Sequence, residues 1–171
     1  MEFYDVIKKR KSVRKYKKDP IPDDVLDRIL EAGRIAPSAK NIQPWHFIVI
    51  KDPDTKKKIA EASRNQMFMA DADVILAGCI LEKEAWARMG GYMSAGPVDL
   101  TIALEHMILA AAREGLGTCW IGAFVEQDVK KILNVPDDVT VLALTPIGYP
   151  AEEPKDRGRK PVSEIISYDS W

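Results

Sequence analysis

Apolar positions change their period several times along the chain, and each change marks an expected element. Residues 3–9 form a short first helix. Pro22-Asp23-Asp24 opens a second, since proline suits a first turn and acids suit its positive end; Val25, Leu26, Ile29, Leu30 and Ile35 follow at helical spacing until Pro37. Residues 46–50 read as a strand, and residues 54–63 as a lysine-rich surface helix introduced by Asp52-Pro53. Residues 74–81 are apolar almost without a break, the pattern of a strand buried on both faces. Residues 119–124 read as another strand, residues 127–133 as a helix ended by Asn134-Val135-Pro136, and residues 139–147 as a strand. From Pro150 the chain is polar and punctuated by proline until residues 162–166.

The longest helical signal covers residues 97–114, with Pro97 in the first turn, Asp99 near the positive end, Arg113 near the other and Gly115 as a stop. Leu100, Ile102, Ala103, Leu104, Met107, Ile108 and Leu109 lead into Ala110, Ala111 and Ala112, leaving little polar surface. Such a helix is either sheathed by its own domain or packed on another subunit. Helices and strands mix without strict alternation, and no repeat or linker divides them, so one α+β domain over residues 1–171 is expected.

Composition narrows the function classes. With 25 Lys+Arg against 26 Asp+Glu, a net charge of -1 gives no electrostatic footprint for nucleic acid or an anionic membrane. Charge interrupts every apolar run before the roughly 18 residues a membrane span needs, and the start MEFYDVIKKRK lacks the order of a signal peptide, so a cytoplasmic protein is expected. Cys79 and Cys119 lie in apolar contexts and read as small core residues rather than a disulfide. His46 and His106 lack cysteine or carboxylate neighbours at metal-ligand spacing, so no metal site is expected. His46, at a strand start, reads as a hydrogen-bonded structural histidine.

Chemistry concentrates in two segments. In RKSVR, residues 10–14, Arg10 and Arg14 can fork onto phosphate or carbonyl oxygens, Lys11 adds a cation and Ser12 a hydroxyl. Alone, these arginines read as helix-end cations facing the macrodipole. A second basic pair, Arg157 and Arg159, lets four guanidinium groups converge on one dianion. In PSAKNIQPW, residues 37–45, Ser38, Asn41 and Gln43 fall within six residues, a density of amides and hydroxyls beyond what a helix-to-strand turn needs. One piece suits phosphate and the other a flat heteroaromatic edge, which together suggest a phosphorylated ring cofactor.

These segments, with Asn65, GLGTCWIGAF over residues 115–124 and RGRKP over residues 157–161, resemble the nitroreductase family of FMN-dependent oxidoreductases along nearly the whole chain. The resemblance implies a nitroreductase-like fold, a central, mostly antiparallel sheet flanked by helices, in an intertwined homodimer with two sites at its interface. It implies that Arg10, Lys11, Ser12, Arg157 and Arg159 hold the FMN phosphate, with Arg14 nearer the flavin pyrimidine. The loop of Pro37, Ser38, Asn41 and Gln43 is similar to one that reaches the isoalloxazine ring from the neighbouring subunit. Asn65 corresponds to a contact on the flavin's polar edge, or serves as a helix C-cap. The backbone at Ile121 and Gly122 corresponds to the stretch beside the reactive nitrogen, where a small residue allows close approach. Gly115, Gly117 and Gly122 do not have GxGxxG spacing and precede an expected strand, which excludes a dinucleotide fingerprint.

The implied activity is electron transfer from NAD(P)H through FMN to a planar acceptor, a nitroaromatic or quinone, in ping-pong order, with no side chain needed as a catalytic acid, base or nucleophile. Trp86, Met89, Tyr92 and Met93, in EKEAWARMGGYMSAG over residues 82–96, form a substrate-selecting lid hinged at Gly90-Gly91, or fill local core. Two other readings stay open: a specialised branch of the same family that uses oxygen or removes halogen, and a protein that binds or senses flavin without turnover.

Overall fold

The structure is a computed structural model that describes residues 2–171. Its elements run α1 (Phe3–Lys9), α2 (Asp23–Arg34), β1 (Trp45–Ile50), α3 (Pro53–Ala62), β2 (Val74–Leu81), α4 (Gly96–Arg113), β3 (Gly117–Thr118), α5 (Glu126–Leu133) and β4 (Val139–Gly148). Short 3-10 turns occupy Ala39–Asn41, Met67–Met69 and Val162–Glu164. Local chemistry sets several boundaries. The Asp52 carboxylate accepts the Thr55 backbone N–H at 2.8 Å and so caps α3. Asn134, at φ 54, takes the left-handed conformation that ends α5.

The sheet order is β1-β2-β4-β3, and every pairing between these strands is antiparallel. Alternation along β2 divides the core. Val74, Leu76 and Ile80 face α2 and α4, while Ile75, Ala77 and Cys79 join a second cluster with Ile59 of α3 and Val129 of α5. β4 needs a correction to serve both faces, because Ala143 and Val141 share parity yet belong to different clusters. A bulge shifts the β2/β4 register between Gly78 and Cys79, which turns the remainder of β4 over. Gly78 also lets α4 lie close, since a Cβ there would meet Leu104 Cδ1 at 2.9 Å.

α4 is sheathed on one side by its own chain. Leu100, Ala103, Leu104, Met107, Ile108 and Ala111 are buried, whereas Val98, Thr101, Glu105 and Arg113 are exposed. One expected strand is corrected: residues 119–124 do not form one. β3 covers only Gly117 and Thr118, paired with Gly148 and Ile147, and the same register resumes at a single Ile121 to Leu144 bridge. Between them Cys119 and Trp120 leave the ladder, with Cys119 turned into the core and Trp120 39% exposed.

Candidate functional site

The RKSVR segment leaves α1 and lies extended along β3. Ser12 bridges Thr118 in parallel, and Val13 N–H donates to the Thr118 carbonyl at 2.8 Å. The Tyr16 hydroxyl donates to the Val13 carbonyl at 2.9 Å, while Lys17 N–H meets the Tyr149 carbonyl at 2.8 Å and Ala151 N–H the Lys15 carbonyl at 2.9 Å. Val13 and Tyr16 point into the protein, so Ser12 and Arg14 point out. Burial pushes the Tyr16 phenol well above its ordinary range, with Cys119 adding and Arg14 opposing.

This anchoring places the motif against the chain's tail. A cavity of about 1310 Å³ is lined by Arg10, Lys11, Ser12 and Arg14 on one side and by residues 152–159, including Arg157 and Arg159, on the other; Glu105 and Leu109 of α4 close it. The two basic motifs, distant in sequence, therefore share one concavity. Seven cationic and four acidic side chains line it. Lys11 pairs with Asp156 at 3.4 Å and Lys15 with Glu152 at 3.6 Å, exposed contacts that contribute little stability. Arg10 and Arg14 make no ion pair among the described residues, so no carboxylate takes up their N–H groups. Although the residue as a whole is exposed, partial desolvation of its carboxyl lifts Glu105 above its usual range, against the pull of Arg10 and His106. Glu105, Leu109 and Asp156 were not singled out by the sequence, where a helical Glu or a tail Asp reads as ordinary surface.

The amide loop lies elsewhere. Lys40 (φ 53), Asn41 (φ 56) and Gln43 (φ 57) are non-glycine residues in the left-handed region, conformations that cost on the order of 1–3 kcal/mol each. Ser38 Oγ accepts Gln43 N–H at 2.9 Å, and Gln43 Nε2 donates to the Asn41 carbonyl at 3.1 Å and Oδ1 at 3.2 Å, so the two amides are presented as a unit. Ala39 N–H donates to Asp99 Oδ1 at 2.9 Å. Lys40 Nζ stands 5.4 Å from the centre of the Trp86 ring, joining the loop to residues 82–96. There Gly90 (φ 61) and Gly91 (φ 82) make the turn bridged by Met89 and Met93. Tyr92 is 83% exposed and fills no core; Trp86, Met89 and Met93 are half-buried.

Asn65 (φ 56) follows the end of α3, and its neighbour Gln66 donates through Nε2 to the Ala123 carbonyl at 3.2 Å. That bond sets the Asn65 turn beside Gly122. A Cβ on Gly122 would meet nothing nearer than Trp120 Nε1 at 4.0 Å, so the space over it is open. Neither Asn65 and Gly122 nor Pro37, Ser38, Asn41 and Gln43 line the cavity of Arg10 and Arg14. His46 differs from expectation: at an exposed position of the edge strand β1, its side chain makes no hydrogen bond among the described residues. Among those residues no group of three His, Cys, Asp or Glu could hold a metal ion, and no helix is long and apolar enough to cross a membrane.

An extended arginine motif pinned beside a short sheet edge and a basic tail across from it define an anion-binding class of site, with a strained amide loop apart from it on the same antiparallel α+β scaffold. Residues 7–77 and 64–149 match the profile of the nitroreductase family, and the chain belongs to that family. An NADH dehydrogenase of Thermus thermophilus is 30% identical over 187 residues, covering 92% of this chain and 91% of that protein. An iodotyrosine deiodinase of Thermotoga neapolitana is 28% identical over 183 residues, covering 96% and 95%. Among solved structures, a nitroreductase family protein from Clostridium novyi NT is similar with a TM-score of 0.82 and 38% identity, over 91% of this chain and 89% of that one. An FMN-dependent nitroreductase from Clostridium difficile R20291 matches with a TM-score of 0.85 and 25% identity, over 97% and 98%.

Proposed function

We propose that the protein is an FMN-dependent oxidoreductase that takes electrons from NAD(P)H and delivers them to a planar acceptor such as a nitroaromatic or quinone, working as a homodimer. The observation that carries this reading is the cavity in which Arg10, Lys11, Ser12 and Arg14 face Arg157 and Arg159. Guanidinium groups without an ion-pair partner and a hydroxyl in one concavity form the donor set a phosphate dianion needs. The kinship with an FMN-dependent nitroreductase and an NADH dehydrogenase supports it.

When bound, FMN supplies the two-electron chemistry between nicotinamide and acceptor. The chain's own residues bind and orient. Arg10, Lys11, Ser12, Arg157 and Arg159 hold the phosphate, and Arg14 sets a positive charge toward the pyrimidine edge. Ser38, Asn41 and Gln43, closed by Pro37, offer donors and acceptors to the ring edge, Asn65 takes its polar side, and Ile121 and Gly122 leave room beside it. Trp86, Met89, Tyr92 and Met93 select the acceptor. The dimer is supported by the separation of the amide loop from its own chain's cavity. Along α4, Asp99 and the cavity residue Glu105 stand about 9 Å apart on the axis and about 120° apart around it, on different faces. Phe3 and Tyr4 of α1, 65% and 72% exposed, offer apolar surface for a partner copy.

Replacing Arg10 by Ala tests the clamp. Losing a charge-assisted contact of about 1.5–3 kcal/mol lowers FMN affinity roughly tenfold or more and leaves riboflavin affinity unchanged. Equal losses for both ligands would refute the phosphate role, and light scattering on the same sample checks the dimer. A second reading, reductive dehalogenation, is favoured by the likeness to an iodotyrosine deiodinase. Turnover of iodotyrosine, compared with quinones and nitroaromatics, separates the two. A binding protein without turnover is separated by stopped-flow mixing with NADH and NADPH, since its flavin stays oxidised.

A further inference from the structure

We infer that Asp99 is a positioning residue that fixes the amide loop where Asn41 and Gln43 meet the flavin ring, an inference that rests on the ring contact proposed above. Asp99 is 4% exposed. An Asp in a first turn ordinarily serves its own helix, by capping N–H groups or by facing the positive end. Here the N-cap of α4 is Ala95, with no side-chain cap bond, and the Asp99 carboxylate instead accepts Ala39 N–H at 2.9 Å across 60 residues of sequence. Its other oxygen, Oδ2, is buried with no hydrogen-bond partner. A buried carboxylate with one oxygen unpartnered weakens a fold. Its place at the start of α4 is therefore accounted for by what Oδ1 grips.

What it grips is the residue before Lys40 and Asn41, where the backbone enters the left-handed region. The other side-chain hydrogen bonds of the loop are internal, Gln43 N–H to Ser38 Oγ and Gln43 Nε2 to Asn41. They set the loop's shape but not its place. Among the described residues, Asp99 to Ala39 is the only side-chain hydrogen bond tying residues 38–43 to the rest of the protein. The exposed Lys40 over Trp86 is a second, softer tether. α4 is the longest element, packed against α2 and β2, so the bond transfers its rigidity to a strained loop.

The test uses the full chain with FMN and riboflavin as probes, reading affinity together with the absorption spectrum and midpoint potential of the bound flavin. Asp99→Ala is expected to weaken both ligands alike, about tenfold, and to shift spectrum and potential, because the loss falls on the ring and not on the phosphate. Asp99→Asn, whose amide oxygen still accepts Ala39 N–H, is expected to restore both to near wild type. In an Asn41→Ala/Gln43→Ala background, Asp99→Ala is expected to add less than about twofold, since it acts through those residues. A lower melting temperature with wild-type flavin affinity and spectrum would overturn the inference and leave Asp99 structural. Should Asp99→Ala fail to fold, Ala39→Pro removes the same N–H at a turn start that tolerates proline; an unchanged flavin there overturns it equally. If Asn41→Ala/Gln43→Ala leaves the flavin unaltered, the ring contact itself is wrong and the inference falls with it. If that variant loses flavin while Asp99→Ala does not, the role of Asp99 alone is wrong.

Discussion

If the proposed phosphate site is right, Gly117→Ala should weaken FMN binding without altering any of the residues proposed to hold the phosphate. A methyl group there would lie 2.5 Å from Val13 Cγ2, 2.8 Å from its Cβ and 3.0 Å from Cγ1, against the roughly 3.5–4.0 Å of an ordinary carbon contact. Val13 cannot turn aside, because a β-branched side chain is stiff and this one is 3% exposed. Its Cβ moves only with the backbone, so relief requires the Ser12 to Arg14 segment to shift by about 1 Å. Overpacking of this kind costs about 1–3 kcal/mol in stability. The same shift stretches a contact of about 2.8 Å to more than 3.6 Å, beyond hydrogen bonding. One charge-assisted bond lost in this way, about 1.5–3 kcal/mol, corresponds to a roughly ten- to hundredfold weaker FMN Kd. Riboflavin, without the phosphate, should bind within about threefold of wild type. Flavin-fluorescence titration with both ligands, alongside a thermal melt, reads the outcome. Val13→Ala in the same chain removes two of the three clashing atoms and should restore part of the loss. Wild-type FMN affinity in Gly117→Ala would refute the claim that this contact sets the motif's position, and an equal loss of riboflavin would place the damage in the fold or the ring site.

Tyr92→Ala should leave the melting temperature unchanged, because the side chain is 83% exposed, while altering relative rates across quinones and nitroaromatics; unchanged relative rates remove Tyr92 from the lid. Trp86→Ala should shift the same profile and also forfeit the Lys40 contact, worth about 0.5–1 kcal/mol. The Cys79 thiol is pushed up to about 11, chiefly by burial and then by Glu126, with Lys130 opposing. A native value above the ordinary 9.0 means a stability contribution that is complete below pH 9 and lost as pH rises through 11. Denaturant melts of Cys79→Ala should therefore lose less stability between pH 9 and 11 than the parent, and an identical slope would contradict the assignment.

Much of the architecture follows from local pattern. The helix of residues 3–9 and the strand of residues 74–81 stand where their periods predicted, and the remaining predicted helices start or stop within a residue of expectation. Periodicity reports how a segment must turn to bury one face, which is a property of neighbouring residues. Residues 119–124 show its limit, since an apolar run says that a segment is buried but not that a strand edge is available throughout. The arginine motif, the amide loop and the basic tail were likewise visible as clusters of suitable donors.

Their arrangement was not. Residues 10–14 and 152–159 meet because β3, at the sheet's edge, pairs with β4 and with the Ser12 segment at once, and β4 ends where the tail begins. Asp99 reads in sequence as a helix-end acid, and only the packing of α4 brings its carboxylate to Ala39. In the sequence Gly117 stands out only as one of three glycines without fingerprint spacing, and only the closeness of Val13 makes its missing side chain a requirement. The sequence by itself determined which segments turn or extend and which carry anion-binding or amide chemistry, because those are properties of the residues and their nearest neighbours. Which of them face one cavity, and which stand apart on another face of α4, was decided by sheet order and helix packing, where contacts join residues far apart in the chain.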